Sequence, residues 1–373
     1  MYKCMKMIIK VAILNIIIYN SSDVRCSVMN CMKNMSRILI PNDLMIPLVN
    51  LYRFIGRNEL YAQSFTDHHE QVMNQTIERD TYFLGRMLRL NITDPRMRLI
   101  ITKDSSPRNK EETVLFKIKE VLYNIHQTFS KYMLNSADIL AMLNHIYSQY
   151  NQVRFEPLNL NRKMAINPGK SKRVIFDETI AEYTNLFEKE RYERIILSIH
   201  FFIDMYNIKP FTEHNELASF LTLYTLLLRS GLDVFTYVSL FEMMDTYNGE
   251  FLTEVKNASF NWEEGYSQTL PLMRFMVKMI NESYKKLDTI HKEYAFDQKL
   301  RKSDNIEATI YRLTDIFSKD DIRLVHPFVS ESTINRALAK LKEEEVIKPL
   351  GKGRSAKWMK IIKDDDYSHL FKS

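Results

Sequence analysis

Eight glycines and ten prolines are all that 373 residues provide for tight turns and chain breaks. A sheet-rich chain turns about every ten residues, and its turns draw on Gly for a positive φ and on Pro for a fixed one. The scarcity therefore predicts a mainly α-helical protein. A hydrophobic fraction of 45% and a charged fraction of 26% are those of a globular chain able to bury a core, and at this length one core plus one accessory module fits. The formal net charge of +6 is small for so long a chain, so only a local concentration of charge can argue for a nucleic-acid partner.

Cys4, Cys26 and Cys31 all fall within the first 31 residues, which excludes a disulfide framework for the body of the chain. The same stretch places Lys3 and Lys6 ahead of an apolar run from Val11 to Tyr19. That order imitates a signal peptide, but Asn15 interrupts the run, it is too short to span a bilayer, and no small-x-small cleavage site follows. Residues 1–34 read as a poorly ordered extension, or as sequence upstream of a true start near Met35. The protein is then expected to be cytoplasmic with no membrane contact; secretion is the competing reading.

Residues 35–150 read as a helical N-terminal region. Leu115, Ile118, Val121, Leu122 and Ile125 keep helical spacing, as do Ile139, Leu140, Leu143 and Ile146, with a loop around Ser105, Ser106 and Pro107. Within residues 151–300, the expected core, the texture first changes: Val153 and Phe155 alternate with polar residues, Asn167, Pro168 and Gly169 signal a turn, and Val174 and Phe176 alternate again. That predicts one small β-hairpin between 152 and 176. Helical texture then runs to about residue 300, a third composition occupies 303–363, and residues 364–373 read as a tail.

In the third segment Ile310, Leu313, Ile316 and Phe317 predict a first helix, and Ser318 with Asp321 a capping box opening a second. Ser330 caps a third helix with Ile334, Ala337, Leu338 and Leu341 on its buried face. Its polar face carries Ser332, Thr333, Asn335, Arg336 and Lys340, side chains that reach phosphates and base edges in a major groove. A strand from Val346 and Ile347 leads to a basic turn, Gly351, Lys352, Gly353, Arg354 and Ser355, and then to Trp358, Met359 and Ile361. From Glu331 to Lys363 nine basic residues face four acidic ones, a local balance of +5. The segment resembles a winged helix-turn-helix, with Ser330–Glu344 as recognition helix and Gly351–Lys357 as wing. The resemblance implies DNA as partner, through Ser332, Thr333, Asn335, Arg336 and Lys340 on the helix and Lys352 and Arg354 in the wing. A protein-contact or dimerisation module is the alternative.

The most distinctive stretch is Ile199–Leu228, IHFFIDMYNIKPFTEHNELASFLTLYTLLL. It resembles the Fic (Fido, Fic-Doc) family motif H-P-F-x-(D/E)-G-N-G-R-x-x-R and the apolar helix after it. Pro210, Phe211, Glu213 and Asn215 match. Lys209 stands at the family's catalytic histidine, His214 and Glu216 at its two glycines, and Leu217 and Phe220 at its two arginines. Around the motif, the 153–176 segment lies where the family has a target-binding flap hairpin, which implies a possible protein target or partner there. Trp262–Gly265 and the helix from Leu270 to Leu287 resemble the tail of family members that end in a winged helix. Thr66 and Glu70 fit the inhibitory pattern (S/T)-x-x-x-E-(G/N), with Gln71 in place of the small residue.

The resemblance implies a Fic-type helical core with a small β-hairpin flap, followed by a C-terminal winged-helix domain. It also implies what each departure removes. The family's histidine takes a proton from a target hydroxyl; a lysine ammonium releases its proton far more reluctantly at neutral pH. The acidic residue, here Glu213, would hold Mg²⁺, the glycines open backbone N–H groups to phosphate, and the arginines neutralise its charge. A carboxylate such as Glu216, if about 4 Å from a phosphate charge, costs roughly 4 kcal/mol at an effective dielectric of 20. The expectation is a catalytically impaired Fic-domain protein coupled to a DNA-binding module, with a regulatory or toxin-antitoxin-like role. The alternatives are an AMP transferase using ATP and Mg²⁺ with non-standard residues at Lys209, Phe211, Glu213 and Asn215, and a scaffold that does not bind DNA. Homodimerisation stays open. His214 is a lone histidine, and the adjacent His68 and His69 point about 100° apart on a helix, so neither suggests a metal site.

Overall fold

The computed structural model describes residues 31–32, 35–37, 39–147, 150–157, 170–299, 302–326, 329–351 and 356–361. Two compact units emerge. The first takes the chain up to Leu60 and again Met73–Leu287; the second takes Tyr61–Val72 and everything from Asp288 onward. Apart from residues 61–72, the sequence segment 35–150 and residues 151–287 lie in one unit, and the second unit resumes at Asp288.

Along the chain α1 (Asn42–Ile55) and α2 (Asn58–Ser64) lead to α3 (His69–Met87), α4 (Asp94–Lys103), α5 (Lys110–Thr128) and α6 (Ser136–Tyr147). After the 150–157 segment follow α7 (Lys172–Glu188), α8 (Arg194–Ile208), α9 (Asn215–Arg229), α10 (Leu240–Thr246), α11 (Asn248–Ser259) and the 30-residue α12 (Leu270–Lys299). Of these, α2 from Tyr61, α3 up to Val72 and the end of α12 from Asp288 belong to the second unit, and the rest to the first. The expected apolar stripes form: Leu115, Ile118, Val121, Leu122 and Ile125 of α5 are buried, as are Ile139, Leu143 and Ile146 of α6, with Leu140 half-buried at the edge of its stripe. Asn109 caps α5 by accepting from the Glu112 N–H at 2.9 Å, and 104–108 form the loop before it.

Helices α8 and α9 pack on each other at the centre of this unit. Both are apolar nearly all round, which is why neither shows a polar face in the sequence. Glu193 caps α8, accepting from the Ile195 and Ile196 N–H groups at 2.9 and 2.6 Å. Ser198 and His200 turn inward, and each returns a hydrogen bond to the carbonyl four residues back. His200 also meets the Thr269 hydroxyl at 3.0 Å, and burial pushes its pKa down to about 4, so the ring is neutral.

Two buried carboxylates tie remote segments to this core. Asp80 of α3 accepts from the Ser239 hydroxyl at 2.6 Å, the Phe241 N–H at 2.9 Å and the Tyr224 hydroxyl at 3.0 Å. Asp204 of α8 accepts from the Cys31 and Met32 N–H groups at 2.8 and 3.0 Å and from the Trp262 indole at 2.7 Å. Cys31 and Met32 are themselves buried. The sequence boundary at Met35 therefore cuts through a packed contact, because a carboxylate inside α8 needs donors and these backbone groups supply them. Residues 1–30, including Cys4, Cys26 and the apolar run, lie outside the described residues.

The hairpin expected between 152 and 176 is corrected at its second arm. Val174 and Phe176 stand on α7, which Ser171 caps; their alternation was the buried and exposed faces of a helix turn, Phe176 buried and Val174 exposed. Of the first arm, Phe155 forms an antiparallel bridge with Phe211. Residues 158–169 lie outside the described residues.

In the second unit, α13 (Lys302–Arg312), β1 (Ile316–Ser318), α14 (Lys319–Val325), α15 (Glu331–Glu343), β2 (Ile347–Pro349) and β3 (Lys357–Lys360) follow in order. The strands form one antiparallel sheet ordered β1-β3-β2, with Phe317 opposite Trp358 and Ile347 opposite Lys360. Ile316 and Phe317, expected to close the first helix, form β1 instead: the helix stops at Arg312, and Phe317 reaches the core from a strand. The Ser318–Asp321 capping box and the Ser330 cap are present as read. Ile306, Ile310, Phe317, Ile322, Ile334, Ala337, Leu338, Leu341 and Ile347 form one buried cluster.

Among the described residues no helix is long and apolar enough to cross a membrane, and no group of three His, Cys, Asp or Glu side chains is placed to hold a metal ion.

Candidate functional site

The loop 209–214 joins the C-terminus of α8 to the N-terminus of α9. Its shape rests on two non-glycine residues in the left-handed region, Lys209 at φ 49° and His214 at φ 60°. Lys209 is the left-handed residue that ends α8, its N–H donating to the Met205 carbonyl at 3.2 Å. His214, which the sequence resemblance aligns with the motif's first glycine, holds a backbone geometry that a glycine would adopt without strain, at a cost of roughly 1 kcal/mol. A ring stack offsets part of that cost: His214 lies on Tyr147 with centroids 3.5 Å apart and planes within 3°. Burial lowers the pKa of His214, and its Nε2 sits 3.5 Å from Glu213 Oε2 without hydrogen-bond geometry.

Asn215 closes the loop on itself. Its Oδ1 accepts from the Phe211 N–H at 2.9 Å and its Nδ2 donates to the Phe211 carbonyl at 2.7 Å. This fixes Phe211, which is buried against Phe155 and Phe176. The 154–156 segment seals the loop's outer edge: Glu156 N–H donates to the Pro210 carbonyl and Thr212 N–H to the Arg154 carbonyl, both at 2.9 Å. The Arg173 guanidinium covers Phe155 at 4.5 Å. Glu213 is exposed and accepts from the Asn151 amide at 3.1 Å.

The two positions of the motif's arginines point the other way. Leu217 and Phe220 are 1% and 2% exposed, and Phe220 joins a cluster with Phe202, Phe241 and Phe251 at centroid separations of 6.2, 6.5 and 6.1 Å. Lys209, Glu213 and Glu216 are exposed. Of the four matching positions, the structure gives Pro210, Phe211 and Asn215 work in holding the loop and leaves Glu213 at its surface. Tyr147, Asn151 and the 154–156 backbone were not legible as partners, because nothing local in the sequence marks them.

In the second unit Thr66 and Glu70 are both exposed. Thr66 sits in a short 3-10 turn, its hydroxyl donating to the Gln63 carbonyl at 2.8 Å, and Glu70 lies in the first turn of α3. On α15, Ser332, Asn335 and Arg336 are exposed and Thr333 is half-buried, its hydroxyl 2.8 Å from Ser330 Oγ. Lys340 differs from them: its ammonium is 2.6 Å from Glu307 of α13 and 3.9 Å from Glu344. Lys352 and Arg354 lie outside the described residues.

No protein-family model matches this sequence, and no curated protein matches it. Among solved structures, a Fic family protein from Desulfovibrio desulfuricans is similar with a TM-score of 0.50 and 13% identity, covering 87% of this chain and 98% of that one. A Fic domain containing signaling protein from Bacteroides thetaiotaomicron is similar with a TM-score of 0.51 and 12% identity, covering 65% of this chain and 98% of that one. At these identities the likeness shows the fold alone, and the fold is that of Fic proteins.

Proposed function

We propose that this chain is a Fic-fold binding protein that has lost AMP transfer and is coupled to a DNA-reading winged helix, in a regulatory role. The observation that carries the first half is the burial of Leu217 and Phe220. A nucleoside triphosphate needs cations where its phosphates lie. At the two positions where the motif supplies them, the helix instead presents its apolar core face, and Glu216 adds a carboxylate to the same turn. Glu213 is a lone carboxylate engaged by Asn151. These residues do not fit ATP with Mg²⁺, and no catalytic step is assigned to Lys209, Phe211, Glu213 or Asn215. Calorimetric titration with ATP and Mg²⁺ is expected to give no binding heat, and labelled ATP no adduct on the protein or on lysate proteins. An adduct that disappears in Glu213→Ala would instead establish the transferase reading, which the exposed Glu213 carboxylate favours.

The second half is supported by the helix-strand-helix-helix-strand-strand order with its three-stranded sheet, and by the exposed Ser332, Asn335 and Arg336 on a helix whose opposite face is core. Arg336→Ala is expected to cost about 1–3 kcal/mol on a preferred duplex and to relax preference at one position. Lys352→Ala should weaken all duplexes alike and lower the salt slope by about one. Lys340→Ala should do least, since Glu307 already holds its ammonium. Fluorescence anisotropy at low salt decides it; no binding at micromolar protein would leave the module as a protein-contact domain.

A further inference from the structure

Residues 61–72 group with the C-terminal unit and not with the residues on either side of them, Leu60 and Met73. What holds them is a row of side chains spaced one helical turn apart on two segments more than 220 residues apart in sequence. The Tyr61 hydroxyl donates to Asp288. Ser64 Oγ meets His291 Nε2 at 2.8 Å, and His68 Nδ1 meets the Tyr294 hydroxyl at 2.8 Å. Between these rungs the Phe65 ring packs on His291 and Tyr294, with centroids 6.3 and 5.0 Å away. Partner numbers rise together, 61 with 288, 64 with 291 and 68 with 294, so the two stretches run parallel. Tyr61, Phe65 and Tyr294 are buried. Aromatic packing combined with paired polar groups makes each rung costly to open alone, the condition for a cooperative unit.

Thr66 and Glu70 stand on this zipped segment. We propose that residues 61–72 are a built-in part of the C-terminal unit, opening and closing with it, so that the position of Thr66 and Glu70 is set by the state of that unit and by whatever it binds. The coupling rests on these contacts with 288–294 and on the grouping of that stretch with the rest of the C-terminal unit; only the identity of the bound ligand as DNA rests on the reading given above.

Hydrogen exchange on the full-length protein tests it. Leu338→Ala opens a cavity in the C-terminal core without touching the zipper. Amide exchange is expected to speed about thirty-fold or more at 64–72 together with 302–347, while Leu217–Leu228 stays at the wild-type rate. Acceleration confined to 302–347 overturns the proposal. Tyr294→Phe, which removes the hydroxyl that meets His68, is expected to speed exchange at 64–70 about five-fold, the value of one hydrogen bond, and an unchanged rate there overturns it as well. A mixed-sequence DNA duplex separates the two ideas. A duplex that binds and alters exchange at 64–70 in the wild type supports both. A duplex that binds and leaves those amides unaltered overturns the proposal while leaving DNA binding intact. Failure to bind removes the DNA reading, and the Leu338→Ala result then decides the coupling by itself.

Discussion

At the scale of single residues, the loop 209–214 is held by substitutes. Where a glycine would take the left-handed backbone freely, His214 takes it and rests on Tyr147. Asn215 satisfies both polar groups of the Phe211 backbone, so Asn215→Ala should destabilise the protein by about 1–3 kcal/mol, read as a lower urea midpoint at unchanged m value. The two buried carboxylates give a pH signature. Burial, against their hydrogen-bond donors, raises Asp80 to about 7 and Asp204 to about 6, well above the unfolded value near 3.9. Between about pH 4 and pH 7 the folded state therefore holds protons that the unfolded chain has released. Stability from these two groups falls as pH rises through that window, the reverse of a salt-bridged aspartate. Urea melts at pH 5 and pH 7 should show a smaller loss in Asp80→Asn than in wild type; an identical loss would mean that Asp80 is ionised in the fold.

At the scale of elements, α9 is a core helix at the two positions that align with the motif's arginines in the sequence resemblance. Leu217 and Phe220 are buried, and Phe220 packs against Phe202, Phe241 and Phe251. Phe220→Ala should cost about 3–5 kcal/mol. Restoring the motif by Leu217→Arg or Phe220→Arg should not restore nucleotide binding. It should instead destabilise the protein by upwards of about 3 kcal/mol, since an unpaired guanidinium would be forced into the core. Thermal melts of both variants, with and without ATP and Mg²⁺, check this; a folded variant stabilised by ATP would show that a single substitution restores nucleotide binding.

At the scale of the whole molecule, the chain path interleaves the two units: residues 61–72 leave the first for the second and the chain then returns. The N-terminal boundary is also a tertiary matter. A chain beginning at Lys33 lacks the Cys31 and Met32 N–H groups that face Asp204, together with two buried side chains. It should melt well below one beginning at Asn30, by about 2–4 kcal/mol in stability. Equal melting temperatures would show that the Trp262 indole is partner enough for Asp204.

The sequence by itself determined the helical class, the stripes of α5, α6 and α15 and the Ser318 and Ser330 caps, because each is written in local spacing or in the residue types at one short stretch. Val174 and Phe176 went to a helix, and Ile316 and Phe317 to a strand, because an apolar residue in a short segment reaches a core from either period, and which one wins is settled by the surface it packs against. Only the tertiary structure could decide that Leu217 and Phe220 face the core, that Tyr147 carries His214, and that residues 61–72 belong with the chain after Asp288. Each of these depends on a partner far away in sequence, and no local pattern records what the partner is.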